Sequence, residues 1–113
     1  MPIVHEITNL YRELYITRHQ IPKAERYGIF QKIENTVLDC LEIALTAALT
    51  EKDKKSILLV RLKIKIEIIQ KLVRLIRELE IISERKHILF SQKSITISKM
   101  TSGWLKYLNK EPI

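Results

Sequence analysis

From Asp53 to Ile82 the chain contains no Gly, Pro or Asn. No residue there favours a turn, so the stretch reads as one long element. Its middle, Val60-Arg61-Leu62-Lys63-Ile64-Lys65-Ile66-Glu67-Ile68-Ile69, alternates branched apolar residues with charges, as a half-buried strand would. A strand of the full length would be far outside the usual range, whereas a helix of it spans roughly 43 Å at 1.5 Å per residue. Ile68, Leu72, Leu75, Ile76 and Leu79 then recur at threes and fours, which is helical spacing. The period-2 pattern therefore rides on a helix.

Turn residues are scarce throughout. Two glycines and three prolines cannot punctuate a sandwich or barrel of many short strands. A hydrophobic share of 46% is too high for a disordered chain. One domain over residues 1–113 is expected, built from four helices. The first covers 3–19, with Ile3, Ile7, Leu10 and Leu14 on one stripe. Ile21-Pro22 ends it, because the residue before proline is pushed out of the α region and Pro22 suits a new first turn. The second covers 22–50 on a stripe of Phe30, Ile33, Val37, Leu41, Ala44 and Ala48, with Gly28 marking either close packing or a frayed first turn. Asp53 is placed to cap a third over 54–82, and Ser83 a fourth over 84–109, before the tail Lys110-Glu111-Pro112-Ile113. Ser94-Ile95-Thr96-Ile97-Ser98 has strand-like residues. A lone strand would have no partner, however, and Phe90, Ile97, Trp104 and Leu108 share a helical stripe. The expected fold is all-α: an antiparallel up-down four-helix bundle.

The net charge of +7 is concentrated in one segment. Residues 1–51 hold five Lys/Arg against seven Asp/Glu, residues 52–77 nine against two, and residues 78–113 six against four. The middle segment alone nets +7, a field that concentrates polyanions such as nucleic acid or an acidic protein surface. Along the predicted third helix Lys63, Glu67, Gln70 and Arg74 form a polar stripe flanked by Lys71 and Arg77. Arg61 and Lys65 fall instead with the apolar residues. Those residues cover more of the circumference than one bundle core uses, which predicts a second buried surface and hence self-association. Arg61 and Lys65 would then lie at the edge of that interface with their stems buried, or simply snorkel to solvent. The candidate partner-binding residues are Arg61, Lys63, Lys65, Lys71, Arg74 and Arg77.

Chemistry is thinly represented. Cys40 is the only cysteine and sits in an apolar run, as a buried thiol would. His5, His19 and His87 are far apart in sequence. Glu80, Glu84 and His87 have metal-like spacing, but the break at Ser83 separates them. Asp39 and Glu42 share a face with no sign of a pocket to raise either pKa. No enzyme activity, metal or cofactor is expected. The 54–82 stretch holds no aromatic residue, so nucleic acid bound there would be held mainly through phosphates. The N-terminus lacks a signal-peptide pattern and charges interrupt every apolar run, which predicts a soluble cytoplasmic protein without a membrane partner.

Pro22-Lys23-Ala24-Glu25-Arg26-Tyr27-Gly28, Ile33-Glu34-Asn35-Thr36-Val37-Leu38 and the alanines at 44, 47 and 48, followed by a basic, leucine-rich third helix and Gly103-Trp104-Leu105, together resemble a known family. It is that of the accessory variability proteins of diversity-generating retroelements. They belong to a wider group of bacterial four-helix-bundle proteins that includes those encoded in ribosomal RNA intervening sequences. The resemblance implies a basic, barrel-like homopentamer that partners a reverse transcriptase and binds template RNA or cDNA during error-prone copying. Met100-Thr101-Ser102 stands where relatives have a more glycine- and arginine-rich turn.

Overall fold

Pro2 opens the first helix, α1 (Pro2–Thr17), its fixed φ suiting a position with no intrahelical N–H bond to lose. Ile3, Ile7, Leu10 and Leu14 are buried along it, as the spacing predicts. A 3₁₀ turn (Arg18–Gln20) follows, and Ile21 is extended at φ −86°, ψ 132° ahead of Pro22. The structure is a computed structural model describing residues 1–110, Lys110 by its backbone alone. Of the expected tail, Lys110 continues the last helix and the rest lies outside the described residues.

The helix expected over 22–50 is split. A single turn, α2 (Lys23–Arg26), is followed by a break at Tyr27-Gly28 and then α3 (Ile29–Leu49). Glycine holds a helix weakly, so interrupting it here costs little. Arg26 ties the detached turn back, its Nη2 donating to the carbonyls of Ile21 at 3.1 Å and His19 at 3.4 Å. A frayed first turn is the nearer of the two roles foreseen for Gly28.

The next helix, α4 (Lys52–Glu78), starts earlier than expected, with Glu51 at the N-cap and Asp53 in the first turn. Asp53 is thus not the cap, although a carboxylate in the first turn still faces the positive end of the helix dipole. The helix also ends before 82. Ile81 N–H donates to Ile76 O at 2.8 Å and Glu80 N–H to Arg77 O at 3.0 Å, with Glu80 at φ 60°. That is a Schellman closure made without glycine. Ser83 caps the last helix, α5 (Glu84–Lys110), as expected, its Oγ accepting from Lys86 N–H at 3.2 Å.

The strand-like segment inside α5 is helical. Ser94 Oγ donates to Phe90 O at 2.8 Å, Thr96 Oγ1 to Gln92 O at 3.0 Å and Thr101 Oγ1 to Ile97 O at 2.8 Å. These bonds satisfy hydroxyls on the helix itself, so two of them, Ser94 and Thr101, lie buried without needing a partner helix.

α1 and α4 each pack on both α3 and α5. The connections at residues 50–51 and 79–83 are too short to return along the long axis, so successive helices run antiparallel. The bundle measures 52 × 20 × 19 Å. In its middle layer the four long helices meet: Ile7 and Leu10 from α1, Val37 and Cys40 from α3, Ile66 and Ile69 from α4, Ser94 and Ile97 from α5. Among the described residues no helix is long and apolar enough to cross a membrane.

Candidate nucleic-acid interface

Leu59, Leu62, Ile66, Ile69, Val73 and Ile76 are the buried residues of α4, spaced by threes and fours. This corrects the stripe read from the sequence. Ile76 belongs to the core, whereas Ile68, Leu75 and Leu79 are exposed. At 100° per residue the opposite side of the helix carries Ile57, Val60, Ile64, Ile68, Leu75 and Leu79, exposed by 39 to 68%. Lys71 interrupts this outer stripe.

The alternation in 60–69 explains the arrangement. Every second residue advances 200° around a helix, nearly to the other side. Val60, Ile64 and Ile68 therefore point out while Leu62 and Ile66 point in. The intervening charges alternate flanks by the same rule. Arg61 and Lys65 lie toward α3, and Lys63 lies toward α5.

On the α3 flank, Arg61 and Lys65 line an open groove of about 300 Å³ with Asp39, Glu42, Ile43, Thr46 and Leu58. Lys65 Nζ is 3.4 Å from Asp39 Oδ2. On the α5 flank, Lys63 Nζ donates to Ser102 Oγ at 2.7 Å and is half-buried, so it is not the solvent-facing residue the wheel suggested. Arg74 pairs with Glu78 at 3.3 Å. Arg77 directs Nε and Nη2 at Glu84 Oε2, at 2.8 and 2.7 Å. Arg61 and Lys71 are exposed with no ion-pair partner among the described residues. The six candidates thus ring α4 rather than form one patch. The Arg74–Glu78 pair, exposed on both sides, is worth at most about 1 kcal/mol and would yield readily to a phosphate.

Asp39 is engaged by Lys65, and Glu42 lies on the groove wall. Glu84 is held by Arg77 while Glu80 forms the turn, and among the described residues no group of three or more His, Cys, Asp or Glu could hold a metal. Burial, with the neighbouring Asp39 charge, pushes the Cys40 thiol up to about 12.

Two features escaped the sequence reading. Lys55 Nζ lies 5.6 Å over the Trp104 ring, joining the start of α4 to the end of α5. At the opposite end of the bundle Tyr15, Arg18, His19, Arg26 and Tyr27 surround one pocket. Seeking aromatics within the basic segment missed it, because the pocket is assembled from the end of α1, the 3₁₀ turn, and the end of α2 with the break after it. The signal available was local: Arg18 follows Tyr15 by three residues, and Arg26 directly precedes Tyr27.

No individually curated protein matches the sequence. The family model described as bAvd-like matches residues 1–108, nearly the whole bundle. The residues from Pro22 to Gly28 and Gly103-Trp104-Leu105 resemble that same group. With its four packed helices and a match over almost its entire length, the chain belongs to the bAvd-like family.

Proposed function

We propose that this chain is a non-catalytic, cytoplasmic accessory protein of a diversity-generating retroelement. It assembles as a homo-oligomer, a pentamer if it follows the family resemblance. It binds the reverse transcriptase and nucleic acid, template RNA or cDNA, in support of mutagenic reverse transcription and retrohoming. Family membership over residues 1–108 carries this reading. The outer face of α4 supports it physically, because an apolar stripe of this length is unusual on a monomer's surface and suits a subunit seam. Arg61 and Lys65 border that stripe in the α3–α4 groove and would face a polyanion along the seam.

A salt titration tests the polyanion part. Binding to RNA or DNA should weaken linearly in log–log form with added salt, with little sequence preference. Changing Arg61 and Lys65 to Ala should lower the slope by roughly 1 to 2. Absence of binding to any nucleic acid at low salt would refute it. The surface would then be read as a contact for an acidic protein, since Lys65, Arg74 and Arg77 already hold carboxylates within the chain.

A further inference from the structure

The end of the bundle where α1 gives way to α3 holds chemistry that the basic helix does not explain. Tyr15 from the last turn of α1, Arg18 and His19 from the 3₁₀ turn, Arg26 from the end of α2 and Tyr27 from the break that follows it line an open pocket of about 270 Å³. Both tyrosines are more than half exposed, at 53 and 56%. Each is supported on one side. Tyr15 packs on Tyr11 with ring centroids 6.5 Å apart, and the Arg18 guanidinium lies 5.4 Å over the Tyr27 ring. Free ring surface is thus held in place, at small cost in side-chain entropy on binding.

The charges are held as well. Arg26 is anchored by its bonds to the carbonyls of Ile21 and His19. Arg18 is 4.0 Å from Glu34, which is buried behind it and does not line the pocket. The lining therefore presents two guanidinium groups, an imidazole and two tyrosine rings, with no carboxylate. An Arg cluster alone would suit any phosphate. Adjacent exposed aromatic faces select a phosphate joined to a planar ring.

We propose that this pocket binds a nucleotide unit, its base stacked on the exposed tyrosine faces and its phosphate held by Arg18, Arg26 and His19. This rests on the nucleic-acid reading above only for the source of the nucleotide, which is a single strand threading past the end of the bundle. A duplex, whose bases are already stacked, could not use the pocket.

The test measures fluorescence anisotropy of a labelled single-stranded octanucleotide and of a duplex of equal length, together with calorimetric titration of a mononucleotide. Tyr15→Ala and Tyr27→Ala should each weaken single-strand binding about tenfold, leave duplex binding and the far-UV spectrum unchanged, and be rescued by Phe. Arg61→Ala with Lys65→Ala should weaken both polymers. If the tyrosine variants bind single strands like the wild type while the arginine–lysine variant weakens both, the pocket proposal is overturned and the nucleic-acid reading stands. Mononucleotide binding that depends on both tyrosines, without polymer binding, would uphold the pocket with a free nucleotide as its ligand and refute the polymer reading. No binding of any probe would overturn both.

Discussion

Glu34 is buried to 3% exposure, with Oε2 unpartnered and Oε1 4.0 Å from Arg18. Burial raises its pKa above the ordinary 4.5, and the Arg18 charge only partly offsets this. The native state therefore binds the proton more tightly than the unfolded chain does, so stability falls as pH rises from 4.5 through the raised native value. Glu34→Gln removes that penalty. Its melting temperature should exceed that of the wild type at neutral pH by several degrees, for a gain of about 1 kcal/mol. The gap should close as pH falls toward 4.5, and a constant gap across that range would show that the carboxylate's charge is not the cause. Cys40 gives a second residue-scale prediction. With its thiol near 12 and 1% exposed, it should react with a thiol reagent at pH 8 only as fast as the protein opens, and immediately in guanidinium. Its burial was legible from the apolar run around it. That of Glu34 was not, because no local pattern reveals that Arg18 of the 3₁₀ turn comes within 4.0 Å of a buried carboxylate of α3.

Element boundaries depend on interactions of a few residues, and two substitutions probe them. Glu80 adopts the left-handed conformation that closes α4. Such a conformation costs a non-glycine residue about 1–2 kcal/mol, against roughly 0.5–1 kcal/mol of extra chain freedom that glycine must lose. Glu80→Gly should therefore stabilise the protein by somewhat less than 1 kcal/mol in a denaturant titration. Gly103 lies inside α5, and a Cβ added there meets no described atom within 4 Å beyond its chain neighbours and the backbone of its own helix. Gly103→Ala should stabilise by about 1 kcal/mol. A loss in either case would mean that the glycine-free turn or the open space beside Gly103 is not as described. The same physics explains the boundary errors. The absence of Gly, Pro and Asn after Asp53 excluded a strand, yet it did not forbid a helix end, because Glu80 could take the conformation usually left to glycine. The strand-like run in α5 was correctly read as helix, and the bonds of Ser94, Thr96 and Thr101 to carbonyls four residues back show how such residues are accommodated.

For the whole molecule the decisive surface is the one turned away from the core. If the outer stripe of α4 is a subunit seam, Ile64→Asp places a charge at its centre, and Ile64 is 55% exposed, so the helix itself should fold unchanged. Light scattering should then report a monomer for the variant and a multiple of the monomer mass for the wild type. A wild-type monomer at micromolar concentration would refute the seam. The sequence alone determined that the chain is helical, that its elements number about four, and that α4 has more apolar surface than one core needs. These follow from periodicity and the scarcity of turn residues, which are local properties. Tertiary packing decided which half of that apolar surface faced inward. A two-residue step of 200° in the 60–69 alternation offers two nearly opposite faces of similar hydrophobicity, and only contact with α3 and α5 selects Leu62, Ile66 and Ile69 over Val60, Ile64 and Ile68. Packing likewise sent Lys63 to Ser102 and Lys65 to Asp39, and drew Tyr15 and Tyr27 together from elements separated by a turn.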